Sequence, residues 1–133
     1  MNNSFEYNIS YDSMRKIIKN YYAENGKEVT IRIHNDIDDD RFAGMIITTV
    51  EVIEEASIAG QKVISKTYLD GDDLKKIMKE VLSKENKELI DLTNNANVQT
   101  KIEGYYMDEH EKQYIANKSF TVTVREKGKV YTK

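Results

Sequence analysis

The sequence predicts an α+β fold: a mostly antiparallel sheet of about six strands with two amphipathic helices on one face, in the order β-α-β-β-β-α-β-β. Three observations carry that expectation. Two stripes, Met14-Ile17-Ile18-Tyr21-Tyr22 and Leu74-Ile77-Met78-Val81-Leu82, place apolar residues on one side of a helix. Between and after them run short segments rich in β-branched residues and in apolar/polar alternation. Lastly, the stretch Asp12–Tyr22 returns sixty positions later as Asp72–Leu82, with Asp12/Asp72, Lys16/Lys76, Ile17/Ile77 and Lys19/Lys79 identical. That echo fits a tandem β-α-β-β duplication, with pseudo-repeats over 4–60 and 61–126 of a single domain covering 1–133.

The elements follow in order. Phe5, Tyr7 and Ile9 alternate with Glu6, Asn8 and Ser10, as in a strand with one buried face. Asp12 is the expected N-cap of the first helix, and Asn25-Gly26 ends it, since both tolerate the left-handed conformation of a C-cap. Val29–Ile33 is a strand, Asn35–Arg41 a polar acidic connection, and Met45–Ile53 a strand apolar on both faces. Ala59-Gly60 turns the chain into Lys62–Leu69. Asp70-Gly71-Asp72-Asp73 opens the second helix, with acids beside its unpaired N–H groups and positive dipole end. Beyond Ser83–Asn86, the spacing of Leu89, Ile90 and Leu92 predicts a short helical tail, and Thr93–Asn97 an unstructured link. Val98–Tyr106 and Tyr114–Val124 are the last two strands, with Lys127-Gly128 turning the tail toward a short strand at Val130-Tyr131. Two helices are too few to cover both faces of such a sheet, so the other face is expected to be solvated or used for binding.

Length and composition narrow the function classes. A chain of 133 residues can bury roughly two-thirds of its unfolded surface, enough for a real core. No apolar run approaches the ~20 residues needed to cross a bilayer. The start, Met1–Tyr7, has neither the basic nor the apolar region of a signal peptide, so a cytoplasmic protein without membrane contact is expected. The absence of cysteine excludes a disulfide, a thiol nucleophile and a thiolate metal site. A net charge of −3, with lysines spread beside acids, argues against direct nucleic-acid binding, which needs clustered cations. Phe, Tyr, Met, Ile, Asn and Lys far outnumber Gly, Ala, Arg and Pro, a bias associated with low-GC bacteria, their phages and their plasmids.

Candidate chemistry is sparse. Asp36, Asp38 and Asp40 alternate like the first ligands of a calcium loop, but Arg41 stands where the loop needs Gly and Ile47 where it needs Glu. The two histidines each accompany an acidic connection, His34 with Asp36–Asp40 and His110 with Asp108, Glu109 and Glu111. Imidazole with carboxylates is a ligand set for zinc or iron. In module order and total length the chain is similar to the vicinal oxygen chelate (glyoxalase-like) family, built from paired β-α-β-β-β modules. The resemblance implies a metal or small-ligand site between two halves, although no ligand position carries over residue by residue. No G-x-S-x-G, G-x-x-x-x-G-K-[ST] or G-x-G-x-x-G occurs, and the carboxylates Glu51, Glu54, Glu55 and Glu103 read as strand residues facing water.

Tyrosine accounts for nine of the twelve aromatic residues, and Tyr105-Tyr106 stands beside Asp108, Glu109 and Glu111. Tyr offers broad contact area with a polar handle at low entropy cost, which suits interfaces. The leading expectation is therefore a non-enzymatic protein-binding module without a cofactor. Its partner would be a protein with a basic surface, met through Asp36, Asp38, Asp39, Asp40, Tyr105, Tyr106, Asp108, Glu109 and Glu111. In size, charge and composition the chain resembles phage and mobile-element inhibitors of host defence nucleases, anti-CRISPR proteins among them. The alternatives are the metal or small-ligand protein above and a structural subunit of a phage or conjugation apparatus. The last would form homo-oligomers, a homodimer included, through an unpaired strand edge.

Overall fold

The computed structural model describes residues 3–38 and 45–127. Among them the elements are β1 (Ser4–Ser10), α1 (Tyr11–Glu24), β2 (Thr30–Asp38), β3 (Met45–Ile58), β4 (Gln61–Leu69), α2 (Gly71–Ser83), β5 (Lys87–Asn94), β6 (Asn97–Glu103), β7 (His110–Ala116) and β8 (Ser119–Glu126). The α+β class, the two helices and the antiparallel pairing are as the sequence predicts. The strands form three sheets rather than one: β1-β8-β5, β2-β3-β4 and the hairpin β6-β7. No helix among the described residues is long and apolar enough to cross a membrane.

The connectivity has a regular plan. The run β1-α1-β2-β3 is matched by β4-α2-β5-β8, with the β6–β7 hairpin inserted before the last strand of the second run. In each run the strand before the helix leaves its own companions and joins the sheet of the other run. Thus β1 pairs with β8 and β4 pairs with β3. The residues just before the helix caps occupy corresponding places, with Ile9 opposite Phe120 and Leu69 opposite Val50. Both helices and the inner faces of both three-stranded sheets feed one apolar cluster, in which Met14, Ile18, Met78, Val122 and Val124 lose almost all solvent contact. Each such side chain contributes about 1.5–3 kcal/mol by burial. The alternation of Phe120, Val122 and Val124 against Thr121, Thr123 and Arg125 puts the first set into this cluster, as expected.

The helix termini are set by short-range chemistry. α1 is capped by Ser10, whose Oγ accepts from the Ser13 N–H at 3.0 Å, not by Asp12. Asp12 instead lies in the first turn, where it favours the positive dipole end and pairs with Arg15. At its other end Gly26 takes φ +79°, and Gly26 and Lys27 donate to the carbonyls of Ala23 and Tyr22 in a Schellman arrangement. α2 carries a capping box: the Asp70 carboxylate accepts from the Asp73 N–H at 2.8 Å, and Asp73 accepts from the Asp70 N–H at 3.0 Å.

Four further expectations are corrected. The tail at Leu89, Ile90 and Leu92 is strand β5, not helix. A β-bulge between Leu89 and Asp91 turns Leu89 toward Val124 and Leu92 toward Val122, leaving Ile90 exposed. The bulge makes two core-facing residues three positions apart, which imitates helical spacing. Tyr114–Val124 is two strands, because Asn117 adopts φ +58° and turns the chain from β7 into β8. The acidic connection begins later than expected, since β2 runs on through Asp38. Finally, the link at Thr93–Asn97 is short and held: the Asn95 N–H donates to the Ser119 carbonyl and its side-chain amide to Thr121 and Ser119. The tail beyond Lys127, with Gly128, Val130 and Tyr131, lies outside the described residues.

Candidate interaction surface

The β6–β7 hairpin brings together the second group of residues that the sequence singled out. The strands pair from Asn97↔Ala116 to Glu103↔His110. A lone hairpin is marginal in water, so its cross-strand side chains matter. On one face the Tyr114 hydroxyl donates to Gln99 at 2.8 Å, while Glu103 accepts from Lys101 at 3.0 Å and also faces Lys112 and His110. The Lys101 hydrogen bond, aided by Lys112 and His110, holds the Glu103 carboxyl below the usual carboxylate range. Among the described residues, Asp108, Glu109 and Glu111 have no such cationic partner, so the negative charge of the hairpin is concentrated at its tip.

The tip itself is tightly built and apolar at its summit. Gly104 has φ +102°, and a Cβ there would collide with the Asp108 carbonyl, so the loop closes only with glycine at this point. A single 3-10 turn at Tyr106–Asp108 follows. Tyr105, Tyr106 and Met107 are 85, 93 and 102 % exposed. Tyr106 also sits at φ +56°, a left-handed conformation unfavourable for a bulky side chain. Strain of this kind concentrates at functional sites. Met107 is the one summit residue not among those expected from the sequence; its signal is three bulky residues in a row between Gly104 and a run of acids.

The first acidic group is placed differently. Asp36 is exposed on strand β2 opposite Ile47, with its carboxylate 3.8 Å from His34 Nε2. Asp38 is the last residue of β2, opposite Met45, and Asp39 and Asp40 lie outside the described residues. His34 belongs to the β2-β3-β4 sheet and His110 to the β6–β7 hairpin. Among the described residues no group of three or more His, Asp or Glu side chains could hold a metal ion.

The sequence predicts an open sheet face, and the outer face of the β2-β3-β4 sheet is one. Met45, Ile47, Ile64 and Tyr68 are about half exposed or more on it, beside Glu51, which is 8 % exposed. Glu51 Oε2 and His34 Nδ1 are buried without hydrogen-bond partners, on neighbouring positions of that face. The corresponding face of β1-β8-β5 is polar, with Asn8 bonded to Thr121, and with Arg125 and Glu88 joined by two hydrogen bonds of 2.9 and 3.1 Å.

Fold and surface together define an α+β framework that displays an acidic and aromatic hairpin. No protein-family model matches the chain, and no curated protein or solved structure matches it.

Proposed function

We propose that this chain is a non-enzymatic protein-binding module whose principal contact is the β6–β7 tip. The observation that carries the reading is the run Tyr105-Tyr106-Met107, whose side chains have almost no neighbours of their own. Leaving three large side chains in water is unfavourable unless a partner covers them, and Tyr and Met are enriched where proteins meet. The acids Asp108, Glu109 and Glu111 behind them select a partner with a basic rim around an apolar pocket. A nuclease with a cationic nucleic-acid channel is such a partner, and stoichiometric inhibition of a host defence nuclease is the narrower form of the reading.

The test is capture from a low-GC bacterial lysate by the wild-type chain and by a variant with Tyr105→Ser, Tyr106→Ser and Met107→Ser. A partner held by the wild type, lost by the variant and weakened at high salt is expected, with salt acting by screening the acidic rim. Equal capture by both chains sinks the tip as the contact.

A further inference from the structure

Both helices begin beside the cleft between the three-stranded sheets, and their first residues could hardly differ more. α1 starts with Tyr11 directly after its cap Ser10, and α2 starts with Gly71 directly after its cap Asp70. Because Ile9 faces Phe120 as Leu69 faces Val50, Tyr11 and Gly71 hold corresponding places in the two runs.

Tyr11 fills its place. It is 6 % exposed, its ring centroid lies 5.2 Å from that of Phe120, and its hydroxyl donates to Asn94 at 2.9 Å and lies 3.3 Å from Asn35 Oδ1. Gly71 fills nothing. Its backbone does not use the left-handed region, and a Cβ added there would meet no atom within 4 Å. Beside it lies a cavity of about 270 Å³, walled by Val50, Leu69, Leu74, Leu92 and Phe120. Thr48 and Asn94 also line it, with the Asn94 amide donating to the Thr48 hydroxyl at 2.7 Å, and Lys75 and Asp70 add a cation and an anion at its edge. A mainly apolar wall with a few polar groups is the usual make-up of a small-ligand site, and the volume lies just below the ~300–1,000 Å³ range for such sites, which suits a ligand of one ring.

We propose that this cavity binds a single phenol ring, which takes in the second run the place that Tyr11 takes in the first. The protein's own first half supplies the template. There a phenol packs against Phe120, whose counterpart in the second run is Val50 in the cavity wall, and its hydroxyl reaches Asn94, a residue that also lines the open cavity. The size of the site limits the ligand to one ring with a small para substituent. This inference rests on the cleft and is independent of the hairpin tip.

The test is an amide chemical-shift titration of the full chain with p-cresol and, separately, with N-acetyltyrosinamide. Saturable shifts with p-cresol at Val50, Leu74, Leu92 and Phe120 are expected. Gly71→Tyr, which rebuilds the plug of α1, should weaken that response at least tenfold and raise the thermal midpoint. Leu92→Trp fills the cavity from β5 and serves if Gly71→Tyr does not fold. Binding of p-cresol alone assigns the site to a free phenolic molecule, and binding of both compounds assigns it to a tyrosine side chain presented by a peptide. Absence of saturable shifts in the wild type, or an undiminished response in folded Gly71→Tyr, overturns the proposal.

Discussion

Ile18 and Met78 lie at corresponding positions of helices α1 and α2, and each is at most 1 % exposed. Tyr11 and Gly71 also correspond, yet one is a buried ring and the other has no side chain at all. The two runs thus agree where they face the shared core and part company at its edges. The second run also carries the inserted β6–β7 hairpin, whereas among the described residues β3 is the next element after β2 in the first. Agreement at the core follows from close packing, where a change of one methylene is felt. Freedom at the edges leaves room for a cavity in one half and a plug in the other.

The comparison can be broken most decisively at the core. Ile18→Ala and Met78→Ala should each destabilise the chain by about 2–5 kcal/mol in urea unfolding, and by similar amounts, if the two helices are equally committed to one cluster. A large cost in one and almost none in the other would show that only one run is tightly packed. Next comes the plug. Tyr11→Phe keeps the ring against Phe120 but removes the hydroxyl shared by Asn35 and Asn94, and about 1–3 kcal/mol should be lost through under-satisfied amides. A neutral result would mean that water replaces the hydroxyl and that the first site is as open as the second. The smallest effect is at the caps, where Ser10→Ala and Asp70→Ala should each cost about 0.5–2 kcal/mol. Asp70→Ala combined with Asp73→Ala should be the most costly, because the bond from the residue-70 N–H to the Asp73 carboxylate is then lost as well. An equal or reversed order in thermal unfolding would show that the capping box adds nothing to the second helix.

Much of the local structure was legible in the sequence. Both helical stripes, the alternation at Phe120–Val124 and the turn at Ala59-Gly60 are patterns within a dozen residues, and physics over that range decides them. Ala59 and Gly60 both take positive φ, as a two-residue hairpin turn requires. The tip residues Tyr105, Tyr106, Asp108 and Glu109 were legible too, because a polar and aromatic turn between two strands has nowhere to bury itself. Less was legible where one pattern has two causes. Leu89 and Leu92 keep a helical interval because a bulge adds a residue to β5, and nothing local to Lys87–Asn94 separates that from a helix. Asn117 breaks a long strand without glycine or proline, through a left-handed conformation that Asn tolerates.

By itself, then, the sequence determined the α+β class, the two helices with the ends of a few elements such as β4 and α2, and the content of the hairpin tip. Those depend on neighbours in the chain. Tertiary structure alone decided that β1 joins β8 and β4 joins β3, that the strands divide among three sheets, and that the start of α2 borders a cavity. Strand pairing is chosen between segments as distant as Ser4 and Arg125, by the fit of whole faces against one core. No local pattern records that choice. A glycine at residue 71 is likewise an ordinary helix start in sequence, and comes to border a cavity only when Val50, Leu92 and Phe120 arrive around it.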